Sequence, residues 1–375
     1  MLFGGDGQVD WVHLLDRQWG NLQRTIAFFE WEPDGVAEIV RLVWSLGFYD
    51  NTRGHRQPYA ALQAVLGRTR EGSPDLRCRA LLAWAIRASI LDSDLPAVLE
   101  AVVVAAREAL ELARQLGDRQ LVVIAILEQI RALQLLERHD AAIALADECL
   151  ALARELANPS LLGRAHDLCA TGEADVPTAQ SHRLAALACF REAGNRMLEC
   201  TELMLVAITG WENMKDVADG RSALENALAL AVQLGSAGQM AYLWANLAIS
   251  CAILDEFDPA EEYCRRNLRA VRRLGMTQGF ITFDMLVMSR CVGNKGDAAT
   301  AAQLAGASDA FWNGVARPTE FTLTPLELDL ISRNKAGLAE VLGQAEFDRL
   351  FEAGQDLSVD KALDLALGRI PSPVS

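Results

Sequence analysis

The sequence predicts an all-α fold: a superhelical array of tetratricopeptide-like helix pairs with a helical N-terminal lead-in and a helical C-terminal cap. The first observation is a repeat, because residues 106–118 return in closely similar form as residues 146–158, with looser copies at residues 224–235 and 263–275. The second is the spacing between the small residues that end these segments, which is 40, 37, 41 and 40 residues. These end residues are Gly117, Ala157, Gly194, Gly235 and Gly275. A repeat at this period is typical of stacked supersecondary units, and the Ala and Leu that dominate it favour helices.

The net charge of the chain argues against two classes of binding partner, nucleic acids and membrane surfaces. The 375 residues include 35 Lys and Arg against 50 Asp and Glu, a net charge of −15, and 51% of them are hydrophobic. This composition is ample for a core, and its negative field repels phosphate backbones and anionic lipid surfaces. We therefore expect neither direct nucleic-acid binding nor attachment to a membrane.

Cysteine usage and the N-terminus indicate a cytoplasmic protein. The eight cysteines contain no C-x-x-C pair and are scattered through predicted helices, which favours free thiols in a reducing compartment over a disulfide framework. Residues 1–6 have neither the basic nor the apolar region of a secretory signal. Residues 226–254 carry no charge, but Gly235 and Gly238 interrupt them, so we expect two buried helices rather than a membrane span.

Three regions are predicted along the chain: a helical lead-in over residues 1–72, tetratricopeptide-like repeats over residues 73–313, and a helical cap over residues 314–375. Ser73-Pro74 is a helix-start signal, since the serine can cap the helix and proline is tolerated at its first position. The predicted repeat pairs are 74–91 with 95–116, 119–137 with 140–156, 159–170 with 176–193, 196–212 with 217–234, 237–254 with 259–274, and 277–292 with 297–313. In the cap we expect a helix starting at Thr324-Pro325 and two short ones over residues 338–351 and 358–367.

The fifth pair matches the tetratricopeptide pattern best. Trp244, Leu247 and the later Ala260 have the spacing at which a large and a small residue let two helices pack closely. Between the helices, Asp258-Pro259-Ala260-Glu261 offers an N-cap, a proline at the first helical position and a capping-box glutamate.

The L-A-R-x-L-G-D ending of residues 112–118 resembles the C-terminal repeat region of actinobacterial STAND-ATPase transcriptional regulators, the LuxR-type, SARP-type and MalT-like proteins. Residues 14–26 are similar to the helix by which such proteins pass from ATPase arm to repeats, and residues 342–347 and 362–367 are similar to their closing segment. The resemblance implies a region that senses an inducer or a protein partner and restrains an ATPase.

The active parts of that family have no counterpart in the sequence. There is no G-x-x-x-x-G-K-[ST] phosphate loop, and residues 4–7 lack the lysine that such a loop requires. No recognition-helix domain follows Leu367. We therefore expect no ATPase activity, no DNA binding and no cofactor, and interpret the chain as a split or truncated product or a free-standing relative.

Few residues are candidates for chemistry. His166, Cys169 and His182 form the only cluster resembling metal ligands, but they lack the paired spacing of a structural zinc site, so no metal is expected. No Ser or Cys lies in a recognisable nucleophile motif, and no catalytic residue is predicted.

A stripe of arginines is the strongest candidate for binding. Its residues, which fall within about a third of one helix surface, are Arg265, Arg266, Arg269, Arg272 and Arg273. Guanidinium groups can hold a carboxylate or phosphate of a partner bidentately. Glu261 and Glu262 lie four residues before the first two arginines, in the favourable order for ion pairs along a helix, which is the alternative interpretation. These pairs leave the remaining three arginines unexplained.

The inner groove of a repeat array is its usual ligand surface. In the fifth pair the predicted groove positions Tyr242, Ala245 and Ile249 are mostly apolar, which indicates either an apolar partner or plain core.

The sequence therefore predicts a non-enzymatic interaction or sensing module of a bacterial transcription or signalling regulator. Its protein partner or small-molecule inducer would lie in the concave groove, with Arg265, Arg269, Arg272 and Arg273 as a second contact. The alternatives are a helical enzyme with a site between repeat helices, which a polar pocket joining His166, Cys169 and His182 would favour, and an inert remnant of a longer regulator.

Overall fold

A computed structural model describes residues 7–32, 34–47, 49, 53, 55–93, 95–209, 211, 214–274, 281–314 and 323–369. These residues form helices joined by short turns, and no strand occurs among them. The predicted all-α repeat array is confirmed. The chain divides into two compact units, and among the described residues the division falls between Glu202 and Leu203.

The first unit begins with three helices and a 3-10 turn that precede the repeats. These are α1 (Gln8–Trp31), α2 (Gly35–Leu46), α3 (Gln57–Val65) and the 3-10 helix Leu66–Glu71. The repeat helices follow as α4 (Pro74–Leu91), α5 (Pro96–Leu116), α6 (Arg119–Leu135), α7 (His139–Glu155), α8 (Pro159–Gly172), α9 (Val176–Glu192) and α10 (Arg196–Thr209), the last of which contains the division. The Ser73 hydroxyl accepts a hydrogen bond from the Leu76 amide at 3.2 Å, so the predicted cap is confirmed.

The second unit contains the remaining repeat helices and the C-terminal ones. They are α11 (Met214–Gln233), α12 (Ala237–Ile253), α13 (Phe257–Leu274), α14 (Thr282–Asn294), α15 (Ala298–Gly314), α16 (Pro325–Leu342), α17 (Gln344–Gln355) and α18 (Val359–Ala366). The uncharged run is split between α11 and α12, as expected. Within the described residues, no helix combines the length and the apolar character needed to cross a bilayer.

The small residue at the end of each repeat has a conformational reason. Gly117, Ala157, Gly194 and Gly235 have φ values of 67°, 48°, 61° and 61°, in the left-handed region that ends a helix. Gly275, the fifth predicted position, lies outside the described residues. The residue that follows each of the first three caps the next helix, with side-chain oxygens of Asp118, Asn158 and Asn195 accepting amide hydrogen bonds. The repeated sequence is therefore a junction that ends one pair and starts the next.

Helix α6 belongs to the core of the first unit and is buried along most of its length. Its buried residues are Leu121, Val123, Ile124, Ala125, Ile126, Leu127, Glu128, Gln129, Ile130, Ala132, Leu133 and Gln134. One of them is charged: the Glu128 carboxylate accepts a hydrogen bond from Arg164 on α8 at 2.6 Å, and the two side chains are 1% and 2% exposed. An isolated charge at this depth would be very costly, so the pair neutralises it.

The N-terminal helix is tied to a helix far along the chain. Gln8, the first residue of α1, donates to the Asn195 side chain at 3.3 Å and accepts from the Met197 amide at 3.0 Å. Asn195 in turn donates to the Ser160 hydroxyl at 3.0 Å. The side chains of Gln8, Asn195 and Ser160 are buried. The start of α1 therefore supplies an acceptor to the first turn of α10, whose amides have no partner within the helix.

The C-terminal helices are packed by close approach of two backbones. A Cβ atom on Gly306 of α15 would lie 2.0 Å from the Phe351 carbonyl oxygen, and one on Gly354 of α17 would lie 2.0 Å from the Gln303 oxygen. The two glycines therefore let α15 and α17 touch along their backbones. Helix α16 begins with a capping box, in which the side chains of Thr324 and Glu327 bond each other's amides.

Two boundary predictions are wrong. A helix over residues 338–351 does not form: Leu338 belongs to α16, which continues to Leu342, and Gly343 with φ 79° separates it from α17. Helix α13 begins at Phe257, so Asp258 lies in its first turn and is not the N-cap. The Glu261 carboxylate bonds Arg265 and Lys295 instead of completing a capping box.

Ion pairs connect successive helix pairs at a separation of about one repeat. Their partners lie 34 to 38 residues apart in the sequence. They are Arg114–Glu148, Glu100–Arg138, Glu128–Arg164, Arg221–Glu256, Asp255–Arg290 and Glu261–Lys295. Most of these side chains are partly exposed, so each such pair contributes little to stability; Glu128–Arg164 is the exception.

Glu128→Ala should lower the free energy of unfolding by roughly 3–5 kcal/mol, because it removes the buried carboxylate that accepts a hydrogen bond from the buried Arg164 guanidinium. Urea denaturation would measure the loss. The double variant Glu128→Met/Arg164→Leu should recover most of it. A loss below about 1 kcal/mol in the single variant would contradict this account.

Gly306→Ala should destabilise the chain by at least ~2 kcal/mol, because the added methyl group meets a backbone carbonyl that cannot move aside. Gly337→Ala is the matched control: this exposed glycine lies within α16 and has nothing within 4 Å of the added carbon. There, alanine should stabilise by roughly 0.5–1 kcal/mol. Thermal denaturation of both variants distinguishes the two effects, and equal shifts would refute the close approach.

Candidate protein-binding surface

The arginine stripe lies on α13, and one of its edges is already occupied by the chain itself. Arg265 donates to the Glu261 carboxylate at 2.9 Å and to the carbonyl oxygen of Leu367 at 3.2 Å. Arg272 donates to the Asp364 carboxylate at 2.7 Å. Asp364 lies in α18 and Leu367 directly follows it. The edge formed by Arg265 and Arg272 therefore binds the C-terminal helix.

The other edge of the stripe faces solvent. Arg266 pairs with Glu262 one turn earlier, as the sequence predicts. Arg269 and Arg273 are exposed, and neither has a hydrogen bond or ion pair with any residue that the structure describes. We call Arg266, Arg269 and Arg273 the exposed edge. The prediction that the first two arginines pair with Glu261 and Glu262 is confirmed.

The opposite side of α13 is anchored in the core, which fixes the direction of the stripe. Cys264, Leu268 and Val271 are at most 1% exposed. The amide of Asn267 donates to the Asp284 carboxylate of α14 at 2.5 Å, and both side chains are buried. Helix α13 therefore has one buried face and one cationic face, and rotating the helix would expose its buried face to solvent.

Asp284 is a buried carboxyl in an unusual state. Burial raises the pKa of Asp284 to about 7, and its bonds with Cys264 and Asn267 only partly offset this effect. One oxygen of Asp284 and the side-chain oxygen of Asn267 have no partner among the described residues. The neutral acid is therefore favoured up to about pH 7.

The predicted groove positions on α12 differ in how far their side chains are exposed to solvent. Tyr242 is 39% exposed, and its carbonyl oxygen accepts from Asn246 at 2.9 Å. Ala245 is half-buried. Ile249 is 3% exposed, so its side chain packs within the core rather than presenting a surface. Of this set, Tyr242 offers the most surface to a partner.

The structure brings together two of the three residues of the predicted histidine cluster. The Nδ1 atoms of His166 on α8 and His182 on α9 are 2.9 Å apart, so one ring donates to the other and at least one is neutral. Burial, with smaller contributions from His182 and Arg154, lowers the pKa of His166 to about 4. Burial also raises the pKa of the Cys169 thiol to about 11, which leaves it protonated and a poor ligand. In the described parts of the chain, no three His, Cys, Asp or Glu side chains are arranged to hold a metal ion.

Beside the histidines lies a charged group that the sequence did not reveal. Arg183 on α9 bonds the Asp167 carboxylate and the Thr171 hydroxyl, and its guanidinium lies 3.5 Å from the Glu202 carboxylate. Burial and the charge of Asp167 raise the pKa of Glu202 to about 9. Arg183 thus lies beside two carboxyl groups, and the more deeply buried of the two, that of Glu202, is held neutral. The arrangement is a largely buried cluster in which the positive charge of Arg183 lies between two carboxyl groups.

A small cavity of about 50 Å³ is formed by α14, α15, α16 and Leu323. Phe283 and Trp312 meet edge to face within it, with ring centroids 5.6 Å apart. Lys335 donates to the Asp309 carboxylate at 2.8 Å on the same lining. Its walls combine apolar and charged groups, and sequence reasoning missed it because its residues are 53 positions apart at the extremes.

The cysteines are free thiols in the part of the chain that the structure describes. Burial raises the pKa of three of these thiols, Cys78, Cys149 and Cys291, to about 12. Thiols in this state are weak nucleophiles.

Comparison with known proteins identifies the fold. No protein-family profile matches the chain, and no curated protein matches it. Among solved structures, a Rap protein complexed with competence and sporulation factor is 12% identical with a TM-score of 0.52, over 80% of this chain and 76% of that one. At this identity the likeness shows the fold alone.

Two further structures are more distant. A STAND protein with a tetratricopeptide repeat sensor from Pyrococcus horikoshii is 14% identical with a TM-score of 0.46; the alignment covers 88% of this chain and 54% of that protein. The chain thus spans about half the length of that protein. A circular tandem repeat protein is 14% identical with a TM-score of 0.27, over 92% of this chain and 94% of that one. The neighbours are tetratricopeptide and tandem-repeat helical proteins.

Asp284→Asn should raise the free energy of unfolding at pH 8 by ~2–4 kcal/mol, because it removes a carboxylate that is charged and buried at this pH. In the folded protein the pKa is about 7, against an ordinary value of 3.8, so the folded state holds the extra proton between these values. The stabilisation is complete below pH 4 and is lost as the pH rises to about 7. The variant should therefore show a flatter stability profile between pH 4 and 7. Asp219→Asn, at an exposed position of α11, is the control and should leave the slope unchanged; parallel profiles for the parent and Asp284→Asn would refute the raised pKa.

Proposed function

We propose that the chain is a non-enzymatic protein-interaction module of a bacterial regulatory system, acting in the cytoplasm. Arrays of helix pairs expose extended surfaces that are suited to partner binding. The regulatory context rests on the L-A-R-x-L-G-D ending and its resemblance to the repeat regions of STAND-ATPase regulators. The predicted division into lead-in, repeats and cap at residues 1–72, 73–313 and 314–375 remains part of this proposal.

The observation that carries the proposal is the exposed edge of α13. Arg269 and Arg273 are solvent-facing cations without a partner among the described residues, in a chain with a net charge of −15. Arginines on acidic proteins usually pair with nearby carboxylates, as Arg265, Arg266 and Arg272 do here. Two that remain unpaired on a rigid helix are suited to an anionic partner.

Tyr242 extends the proposed surface to α12. An exposed tyrosine combines an apolar ring with a polar hydroxyl, which is typical of residues that contribute strongly to interfaces. We place the protein partner or small-molecule inducer in the groove beside Tyr242, with the arginines of α13 as its second contact and Ile249 supporting the groove from within the core. The Rap protein was solved with competence and sporulation factor bound, which is a precedent for ligand binding on this fold.

Affinity capture from lysate of the source cell tests the proposal. The double variant Arg269→Glu/Arg273→Glu should lose at least about 90% of a partner that the parent chain retains, because like charges across an interface repel. Arg70→Glu/Arg107→Glu changes the charge equally at exposed positions of the first unit and should retain the partner. Equal retention by all three proteins, or loss from both variants, would count against the α13 surface. Thermal denaturation of each variant checks that it is folded.

A further inference from the structure

Two buried oxygen atoms lie at the contact between α13 and α14, one on each helix. The Asn267 amide donates to Oδ2 of Asp284 at 2.5 Å, and each side chain is 1% exposed. The other oxygen of each group, Oδ1 in both, has no partner in the part of the chain that the structure describes. Burial of an unsatisfied acceptor is costly, and burial of an unpaired charge is more so. An ionised Asp284 would leave this contact without a donor that it needs.

A proton on Asp284 supplies the missing donor. An ionised carboxylate can only accept hydrogen bonds, whereas a protonated one also has an O–H group. With the Asn267 amide bonded to Oδ2, a proton on Oδ1 of Asp284 can be donated to Oδ1 of Asn267. The two side chains then form a closed ring of two hydrogen bonds, and both oxygens are satisfied. Loss of the proton leaves both oxygens without a donor and places a charge on Asp284.

The surroundings of Asp284 favour the neutral acid rather than the ionised form. The titratable group that faces it is the Cys264 thiol of α13, which donates to the Asp284 carbonyl oxygen at 3.3 Å. Among the described residues, no charged side chain contributes to the raised pKa of Asp284. Helix α12 carries no charged residue. On α14 itself and on other helices packed against it, charged side chains form pairs of their own: Arg290 with Asp255, Asp309 with Lys335, and Asp364 with Arg272.

The buried acid of the first unit is satisfied in a different way. Glu128 also joins two successive helix pairs, and its partner is the guanidinium of Arg164, which brings a counter-charge into the core. Asn267 is the corresponding partner of Asp284, but it is uncharged. An arginine satisfies an acid in its ionised form, whereas an amide that pairs through both of its polar atoms satisfies it in the neutral form. The contact between α13 and α14 therefore depends on a proton.

The Asp284–Asn267 contact lies between two successive repeats. Helix α13 packs most extensively on α12, its partner in the fifth pair, and α14 packs most extensively on α15 in the sixth. The Ser308 hydroxyl of α15 donates to the Thr282 carbonyl oxygen at 2.9 Å, which holds the start of α14 within its own pair. In an array each repeat contacts only its neighbours, so the interface between two pairs determines how firmly they are joined. A proton at Asp284 therefore acts on the junction between the fifth and sixth pairs.

We propose that Asp284 and Asn267 form a proton-dependent joint, which locks the fifth helix pair to the sixth when Asp284 is protonated and loosens their contact when the proton is lost to solvent. Leu268 and Val271, which are buried, keep the direction of α13 while the contact opens locally more often. Because burial raises the pKa of Asp284 to about 7, the loosening takes place on the approach to neutral pH. The joint belongs to the free chain and is independent of a partner at the exposed edge.

The histidines do not compete with Asp284 as the source of such a change. All five lie between residues 13 and 182, in the first unit. In the described part of the second unit, Glu327 of α16 is the other carboxyl whose pKa is raised by burial. Its carboxylate accepts from the Thr324 amide in the capping box. A variant at Asp284 separates the contributions of the two groups.

Hydrogen exchange of the backbone amides, measured by mass spectrometry from about pH 5 to 8 and corrected for the intrinsic exchange rate, tests the joint. The proteins are the parent chain, Asp284→Asn and the exposed control Asp219→Asn. Asp284→Asn is the matched variant, because its amide nitrogen can donate to Oδ1 of Asn267 at every pH and so resembles the protonated acid. Amides of α6, in the first unit, serve as an internal reference.

In the parent, protection of the α13 and α14 amides beside the joint should fall by at least about tenfold between pH 5 and 7, since the open state releases the proton that the closed state holds. The protection should level off above about pH 7. Asp284→Asn should keep its protection within about twofold over the same range, and Asp219→Asn should follow the parent. Unchanged protection in the parent, which an ordered water molecule in place of the proton would produce, overturns the joint without any variant.

Two further outcomes count against the joint. The same pH dependence in Asp284→Asn would assign the change to another group, of which Glu327 is the first candidate. An equal loss of protection in α6 would show a general loss of stability rather than an opening between the fifth and sixth pairs. Failure of the affinity capture would leave the joint untouched, because exchange is measured on the free chain.

Discussion

Burial of the first helix of a pair between its neighbours is the constraint on which the rest of the structure depends. Helix α6 shows the constraint most clearly, because it has no side left for solvent along most of its length. A polar residue there must find its partner on another helix, and Glu128 finds Arg164 on the next pair. The same stacking brings residues about one repeat apart into contact, which is why the ion pairs between helix pairs share a separation of 34 to 38 residues. The sequence separation between the partners of these ion pairs is therefore close to the repeat period of the sequence.

Local patterns made the repeat array predictable. The residue ending each repeat had to adopt a left-handed conformation and the next had to cap a helix, and both requirements can be read directly from Gly117-Asp118, Ala157-Asn158 and Gly194-Asn195. Pairs four residues apart on α13 were predictable for the same reason, since one helical turn determines them. The sequence does not predict the boundary at Gly343, because the segments on either side of the glycine are both amphipathic and therefore resemble one continuous helix. Gly343, with φ 79°, separates the two helices, and α17 packs closely against α15 through Gly306 and Gly354.

Contacts between distant segments could not be predicted. Asp364 is 92 residues from Arg272, and Gln8 is 187 residues from Asn195. Neither pair has a local pattern, and both depend on where a terminal helix meets the array. The sequence therefore predicts candidate binding residues by type, but it does not show which of these arginines already contact the chain itself. The division into a bound edge and an exposed edge depends on the fold.

The structural role of a buried polar group in the core must be considered before a function is assigned to that group. Arg183 compensates Asp167 and Glu202, and the His166–His182 contact satisfies two rings that burial keeps from being charged together. Of these groups, burial raises the pKa of Glu202 and lowers that of His166, so both shifts have a structural cause. Perturbed pKa values also occur in structural networks, so they do not identify a site without an accessible opening.

The exposed edge of α13 differs from these buried polar groups because its arginine side chains are not themselves held by the core. Packing of the opposite face fixes the position of the helix instead. Leu268 and Val271 are buried, and the Asn267–Asp284 bond holds the same face, so the helix cannot rotate to pair its remaining cations elsewhere. The cost of orienting the binding groups is thereby met during folding and not during association. The arginine side chains retain their own freedom, which a partner must restrict, but their Cα positions are already fixed by the packing of α13. Two of its arginines contact the chain's own C-terminal segment, and we propose that the arginines facing solvent are the ones open to an anionic partner.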